Sequence, residues 1–566
     1  MVAAVTDEHD SPDRMRARID ALCAPGAICG GEVAQCIETH VSWVLLCGDR
    51  AYKFKKPLDL GFLDFSTRAQ RLRACEEELR LNRRTLPEAY LDLVALGGSA
   101  DAPALVPWSS ASGADDGRDD LPEPGVRMRR FDAGAVLDDR LARGALDGTE
   151  IDALAYHVAA FHAAAAVADP RRTDWGAPRG VREAALQNFE QMQSLNTHDD
   201  AGDPLQRLRA WTAEQSVGLE AVFARRRERG RVRECHGDLH LGNIVLFDGA
   251  PRLFDAIEFS PALRWTDVAA DIAFLVMDLL AHGRDDLGWR FLNGWLEHSG
   301  DYEALMVLDY YLVYRAMVRA KVALIRATQS DGAARDAMRA ELHRYLALGE
   351  RLATPRRPAL LIACGLSGAG KTSQSQGLLE ARGVVRVRAD VERKRLFGLA
   401  PLMRSTESAE AGGAGGDVRA RMYDDAANER TYARLAEVAE TGLRAGWTVL
   451  VDATFLQRAR RERCRTLAAQ MGVGWGVLCF DAPLDVLRAR VARRLAEGSD
   501  ASEADETVLM RQRTLNEPLG TDEARHALRI DTTQAVCWDA AMLARVDALI
   551  RYAGPEHRAG GDEGAT

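Results

Sequence analysis

The run Ala359-Leu360-Leu361-Ile362-Ala363-Cys364 leads without interruption into Gly365-Leu366-Ser367-Gly368-Ala369-Gly370-Lys371-Thr372. All fixed positions of the pattern G-x-x-x-x-G-K-[ST] are filled, and the apolar run supplies the strand that the pattern requires before it. Glycines at these places let successive backbone N–H groups converge on phosphate at a helix N-terminus, where the helix dipole also favours anions. The stretch therefore predicts strand, loop and helix. Gly365, Ser367, Gly368, Ala369 and Gly370 would surround the phosphates of ATP, Lys371 would reach the outer ones, and Thr372 would hold Mg²⁺. Apolar runs then alternate with helical segments, which predicts a doubly wound parallel sheet over residues 359–553.

Two later strands carry acids at their carboxyl ends, where open α/β sheets bind ligands. Val384-Val385-Arg386-Val387-Arg388 leads to Asp390, nineteen positions after Lys371, with Arg393 close behind. Asp390 reads either as the base for an acceptor hydroxyl, with Arg393 orienting that acceptor, or as a cap of the following helix. Trp447-Thr448-Val449-Leu450-Val451 delivers Asp452 to a Mg²⁺-holding position. The basic helix Arg488 to Arg494 reads as a lid whose Arg490 and Arg494 meet the transferred phosphate, or as a solvated face.

A second phosphate device stands upstream. In His236-Gly237-Asp238-Leu239-His240-Leu241-Gly242-Asn243 the aspartate precedes the asparagine by five positions, the spacing of the kinase loop H-R-D-x-x-x-x-N. That spacing suits a carboxylate, Asp238, at the acceptor hydroxyl and an amide oxygen, Asn243, on Mg²⁺ beside the ATP phosphates. Seventeen positions after Asp238, Arg252-Leu253-Phe254 delivers Asp255, suited to bridge Mg²⁺ to phosphate. Further upstream a hairpin over residues 38–57 carries Lys53, and the charged helix after it carries Glu78, which fits a lysine–glutamate pair that positions phosphates. Lys55 shares the strand face of Lys53 and is an alternative to it. His236 and His240 read as braces of the loop, and Asp267 and Asp271 as structural acids that hold it. Arg315, Arg319 and Lys321 either face an anionic acceptor or form a solvated or salt-bridged face.

The strings Thr39-His40-Val41-Ser42, Ala51-Tyr52-Lys53, Glu78-Leu79-Arg80-Leu81-Asn82, His236 to Asn243 and Asp267-Val268-Ala269-Ala270-Asp271 resemble the aminoglycoside phosphotransferase-like family of small-molecule kinases, in the subset fused to a P-loop domain. The second half resembles the P-loop small kinases, among them gluconate, shikimate and polynucleotide 5′-hydroxyl kinases, with Asp390 and Arg393 most like the last. The resemblance implies a bilobal kinase-like (α+β) domain over 21–352, with a small lobe to about 130, joined by a linker at 353–358 to the P-loop domain. No G-x-G-x-x-G loop precedes Lys53, Phe254-Asp255-Ala256-Ile257-Glu258 replaces D-F-G, and no A-P-E segment follows, so a protein kinase with an activation loop is not implied.

The bulk properties agree. With 566 residues the chain is long enough for several folding units, and 47% hydrophobic with 28% charged residues suits full cores. A net charge of −10 speaks against a protein that coats nucleic acid or an anionic membrane. The ten cysteines stand singly, without CxxC or zinc spacing, and read as reduced thiols of a cytoplasmic protein. Neither an export signal nor a membrane span is expected. Residues 1–20 and 554–566 read as tails, Ser109–Asp120 as a strand connection, and Ala411–Asp417 as a loop near a nucleotide site. These readings predict a bifunctional ATP- and Mg²⁺-dependent kinase of small hydroxylated compounds. The alternatives are one kinase regulated by a nucleotide-binding P-loop half, a P-loop half acting on 5′-hydroxyl polynucleotides, and a degenerate kinase-like half that only binds.

Overall fold

Residues 12–24, 28, 33–61, 63–99, 102–111, 122–195, 202–404, 421–498 and 500–551 are described by a computed structural model. The chain divides into two compact units, residues 1–180 with 224–275, and residues 181–223 with 276–566. The expected segments 411–417 and 554–566, and 112–120 of the strand connection, lie outside the described residues.

In the first unit, strands β1 (Gln35–Glu38), β2 (Ser42–Cys47), β3 (Arg50–Lys55), β4 (Tyr90–Ser99), β5 (Ala102–Pro107) and β6 (Glu123–Arg129) form one antiparallel sheet in the order β1-β2-β3-β6-β4-β5. The expected hairpin is β2 and β3, with Val44 opposite Lys53. Its first arm is shorter than the sequence suggests. The run from residue 38 is broken at Thr39-His40-Val41, where the Thr39 hydroxyl oxygen accepts the Ser42 N–H at 2.9 Å and the chain turns from β1 into β2. Helix Arg68–Asn82 follows the hairpin, opened by a reciprocal Thr67–Gln70 capping box.

Two readings need correction here. The amino-terminal tail is not unstructured throughout: helix Pro12–Leu22 buries Met15, Ile19 and Leu22, spaced so that one helix face is apolar, and Arg18 Nη2 donates to Leu96 O at 2.7 Å. Nor are all cysteines reduced, because Cys47 is disulfide-bonded.

The catalytic-loop segment sits among short strands, β7 (Val232–Glu234), β8 (Ile244–Phe247), β9 (Ala250–Leu253) and β10 (Trp265–Asp267), with β8 and β9 paired as a hairpin and β7 paired with β10. Helix Gly148–Ala164 packs on β9. From that helix His157 Nδ1 faces the Arg252 guanidinium at 3.4 Å, and burial, with that cation beside it, pulls the imidazole down to about 4. The unfolded chain takes up this proton near 6.5 and the folded chain only near 4. Between those values the unfolded state binds more protons, so stability falls as the pH drops through the window. The thermal midpoint should decline between pH 6.5 and 4 and decline less steeply in His157→Gln; parallel curves would remove His157 as the cause.

The second unit holds a parallel sheet of β11 (Ala359–Cys364), β12 (Val385–Arg388), β13 (Val449–Asp452), β14 (Gly474–Asp481) and β15 (Ala527–Asp531), in the order β12-β13-β11-β14-β15. Every residue of β11 is buried, as expected of a central strand covered by helices on both faces. By their contacts the helices at 181–223 and 276–353 are grouped with this unit. Side chains explain the grouping. Asn293, on helix Asp285–Ser299, donates to Val384 O at 3.0 Å and accepts the Arg386 N–H at 2.8 Å, so its amide pairs with the free edge of β12 as another strand would. The segment between helix Gly332–Ala353 and β11 is anchored too: Arg356 pairs with Asp309 and stacks on Trp447 at 3.8 Å. No helix among the described residues is long and apolar enough to cross a membrane.

Candidate functional site

In the first unit the predicted acids and lysines converge. Lys53 Nζ lies 2.9 Å from Glu78 Oε1 and pairs with Asp255, while Lys55 Nζ lies 2.5 Å from Glu78 Oε2 and pairs with Glu258. Both lysines are therefore used, and Glu78, fully buried, bridges them. Burial works against the Lys53 charge, but Asp255, Glu78 and Glu258 outweigh it and hold its pKa well above the ordinary lysine value. Burial likewise raises the Asp255 carboxyl, yet Lys53 and Lys55 bring it below its usual range, so it stays ionised. Removing the central carboxylate would leave buried ammonium groups undercompensated, a change that typically costs about 3–5 kcal/mol. Glu78→Gln should lose stability on that scale in urea unfolding, and a loss under about 1 kcal/mol would contradict the bridging role.

The loop that bears Asp238 is held by buried groups. Asp271 accepts the His236 N–H at 3.1 Å and the Gly237 N–H at 2.8 Å, and His162 Nε2 lies 3.0 Å from the same carboxylate. His236 Nε2 meets Phe254 O at 2.9 Å, tying this loop to the segment that leads into Asp255. Burial lowers the His236 pKa and keeps the ring neutral. Asp267 forms a two-point pair with Arg226, both bonds at 2.8 Å. Gly237 has φ +86°, and a Cβ there would approach Leu263 O at 3.1 Å, so glycine is required at this turn.

Asn243 Nδ2 donates to Asp238 O at 2.9 Å and to Asp238 Oδ2 at 3.1 Å, which leaves Oδ1 of the amide for another partner. Asp255 sits at φ +60°, its N–H bound by the Tyr90 hydroxyl at 3.2 Å and the next N–H by Asn82 Oδ1 at 2.9 Å. An amide oxygen and a carboxylate are the hard donors that Mg²⁺ takes. Asn243 and Asp255 fit that ion, and Lys53 fits nucleotide phosphate. His240 Nδ1 accepts the Gly242 N–H at 3.1 Å, so the neutral ring carries its proton on Nε2, 3.4 Å from Asp238 Oδ2. Arg319 Nε donates to the Tyr345 hydroxyl at 3.2 Å and Arg319 Nη2 lies 3.8 Å from Glu341, Lys321 Nζ donates to Gln191 Oε1 at 2.9 Å, and Arg315 is buried.

In the second unit the predicted residues line one cavity of about 670 Å³, among them Ser367, Gly368, Gly370, Lys371, Thr372, Asp390, Arg393, Asp452, Arg490 and Arg494. Ala369 is buried behind the loop. The loop is a backbone cradle: a Cβ on Gly365 would lie 2.4 Å from Phe480 O and one on Gly368 2.7 Å from Leu487 O, both with positive φ. Lys371 Nζ donates to Gly365 O at 3.0 Å and Leu366 O at 3.1 Å. Burial holds its pKa below the usual value despite Asp452 and Asp390. The Thr372 hydroxyl donates to Asp452 Oδ2 at 2.5 Å, so the two oxygen donors expected on Mg²⁺ are adjacent. Arg490 Nη1 donates to Thr532 Oγ1 at 3.0 Å and Arg494 Nη2 to Ala504 O at 3.0 Å, each from helix Leu484–Glu497.

Asp390 lies in the first turn of helix Ala389–Leu396, but that helix has no side-chain cap, which disfavours the capping alternative. Arg393 Nη1 donates to Asp390 Oδ1 at 3.3 Å. Burial raises the Asp390 carboxyl, while Arg393, the Ser502 hydroxyl and Arg388 together bring it below its ordinary value. The sequence reading missed Arg388, Tyr423, Asn428, Tyr432 and Arg460 on the same cavity wall. Only the spacing of Asn428 and Tyr432, one turn apart on helix Asp425–Arg444, could have flagged them.

The fold and its two sites define a kinase-like unit joined to an AAA-type P-loop domain, and residues 360–519 match the AAA domain family. The chain belongs to the family of the uncharacterized protein Rv2004c of Mycobacterium tuberculosis, to which it is 32% identical over 469 residues, 82% of this chain and 87% of the relative. An uncharacterized Mycobacterium bovis protein matches to the same extent, 32% over 469 residues. Among solved structures, a gluconokinase from Sinorhizobium meliloti is 18% identical with a TM-score of 0.23, covering 35% of this chain and 91% of that one. A choline kinase from Cryptosporidium parvum is 11% identical with a TM-score of 0.37, covering 60% and 96% respectively. An ADP-bound aminoglycoside phosphotransferase is 14% identical with a TM-score of 0.33, covering 56% and 94%.

Proposed function

We propose that the protein is a bifunctional ATP- and Mg²⁺-dependent phosphotransferase that phosphorylates hydroxyl groups of small molecules at two separate sites. The observation that carries this reading is that each unit assembles its own full set: a phosphate-binding cation, two oxygen donors suited to Mg²⁺, and an ionisable carboxylate for the acceptor. In the first site these are Lys53 with Glu78, Asn243 with Asp255, and Asp238. In the second they are Lys371, Thr372 with Asp452, and Asp390.

The chemistry at each site is the same. The acceptor oxygen bonds to the γ-phosphorus, the bond from that phosphorus to the β,γ-bridging oxygen breaks, and ADP leaves with the electron pair. The acceptor proton passes to Asp238 or Asp390. Mg²⁺, when bound, neutralises phosphate charge. The protein's part is placement and electrostatics: Lys53 or the glycine cradle with Lys371 fixes the phosphates, and Arg494, whose charge acts on both Lys371 and Asp390, is suited to the phosphoryl group in transit.

The test is a screen of hydroxylated metabolites with ATP, following ADP release and product mass in wild type, Asp238→Asn and Lys371→Ala. Two sets of products, each lost in one variant only, are expected. Loss of all products in both variants would instead support a single kinase regulated by the P-loop half.

A further inference from the structure

Cys364, the last residue of β11, and Cys479, in β14, are register partners on neighbouring parallel strands, so their side chains leave the sheet on the same face, one strand spacing apart. Both are free thiols, and the Cys479 thiol hydrogen-bonds to the Cys364 sulfur. The pair stands at the foot of the P-loop. Cys364 is followed by Gly365 and Cys479 by Phe480, and a Cβ on Gly365 would come within 2.4 Å of Phe480 O. The two strands therefore meet again one residue further on, at the backbone that carries the loop.

Neighbouring strands lie about 4.8 Å apart, inside the roughly 4.4–6.8 Å range of Cα separations that a disulfide spans, but the bridge also brings its Cβ atoms to about 3.8 Å. Closing it must draw the carboxyl ends of β11 and β14 together. Gly365 has no room to follow, because Phe480 O already stands where a Cβ of Gly365 would be. The displacement passes into the loop, whose Gly365 O and Leu366 O hold Lys371 Nζ at 3.0 and 3.1 Å. The chemistry of the pair is suited to the bond. The Cys479 thiol holds the Cys364 pKa below its ordinary value against burial, with the Arg461 and Lys371 charges helping. Burial pushes the Cys464 thiol of the same unit up to about 12. The thiolate is the reactive form, and Cys364, 9% exposed, has its resolving thiol in contact.

We propose that Cys364 and Cys479 are a redox modification site, joined by peroxide into a reversible disulfide that displaces the P-loop and weakens nucleotide binding there. The inference needs nucleotide at the P-loop but not the kinase reading of that half. The Cys364 thiolate attacks one peroxide oxygen, the O–O bond breaks, and hydroxide leaves a sulfenic acid behind. The Cys479 sulfur then attacks the Cys364 sulfur, the S–O bond breaks, and the hydroxyl departs as water with the Cys479 proton. Two thiols are oxidised, and the peroxide is reduced to water once its hydroxide takes up the proton that Cys364 gave to solvent. A dithiol reverses the bond by exchange.

The test exposes the full chain to hydrogen peroxide, maps cross-linked peptides by mass, and measures by calorimetry the ADP binding that Lys371→Ala weakens. A peptide joining Cys364 to Cys479 is expected, and that ADP binding should weaken about tenfold or more, as for loss of one charge-assisted hydrogen bond from the cradle. Dithiothreitol should remove the cross-link and restore the affinity together. Cys479→Ser should bind ADP as reduced wild type does and keep that affinity in peroxide. If the serine variant is unstable, the reversal in wild type carries the test alone. Coupling is reciprocal, so saturating ADP should disfavour the cross-link in a dithiothreitol buffer by the same factor. The inference is overturned by any of four results: no Cys364–Cys479 peptide, a Cys364 that gains oxygen without the cross-link, a cross-link that leaves ADP affinity unchanged, or an equal loss of affinity in Cys479→Ser.

Discussion

Asp238→Asn should reduce phosphorylation at the first site by about 10²–10⁴-fold, the usual contribution of a positioned proton acceptor. The substitution keeps the volume and can still meet Asn243 and His240, which approach Oδ2 at 3.1 and 3.4 Å. It removes the charge that takes the acceptor proton. The Asp238 side chain is 38% exposed, in contrast to the buried Asp271 that fixes the loop from below, so little stability should be lost. The KM for ATP should change little as well, because Lys53, Glu78 and Asp255 sit in a separate ion-pair network. Single-turnover rates with unchanged urea midpoints would separate loss of chemistry from loss of fold. A wild-type rate in Asp238→Asn would remove the residue from the reaction and favour a degenerate, binding-only first unit.

How much of this was legible in the sequence depended on whether the constraint was local. The P-loop could be read because its backbone geometry excludes Cβ atoms: Gly365 and Gly368 face the carbonyls of Phe480 and Leu487 across gaps too small for any side chain. The spacing of Asp238 and Asn243 was readable for a similar reason, since one short turn, closed by Asn243 Nδ2 on Asp238 O, carries both. The Lys53–Glu78 pair was readable, but the roles of Lys55 and Glu258 were not, because the network joins β3, helix Arg68–Asn82 and a loop more than 200 residues away in sequence. The same holds for Asn293, whose seal on the β12 edge comes from a helix far from that strand in sequence. Tyr423, Tyr432 and Arg460, on the same cavity as Asp390 and Arg393, were not legible because stacking of Arg393 on Tyr423 and of Arg460 on Tyr432 leaves no fixed spacing to recognise.

The largest effect expected in the second unit belongs to Lys371→Ala. Its ammonium donates to two carbonyls of the loop itself, Gly365 O and Leu366 O, with the Asp452 and Asp390 charges acting on it as well. Burial has already lowered its pKa, which means that the charged form is held at a cost an incoming phosphate would relieve. Removing one preorganised charge donor from a phosphoryl-transfer site lowers the rate by about 10²–10³-fold. Loss of nucleotide affinity should accompany it, since the same ammonium meets the ground-state phosphates. The backbone cradle remains, so residual binding of ADP is expected, detectable by calorimetry, with the β11 and β14 core unaltered in thermal melts. The decisive comparison is across sites. Under the two-kinase reading, Lys371→Ala leaves every Asp238-dependent product at its wild-type rate, and Asp238→Asn leaves every Lys371-dependent product at its wild-type rate. A fall in Asp238-dependent turnover on removal of Lys371 would mean that nucleotide at the P-loop controls the first site, and the second set of catalytic residues would then have to be reread as the machinery of a nucleotide-driven switch.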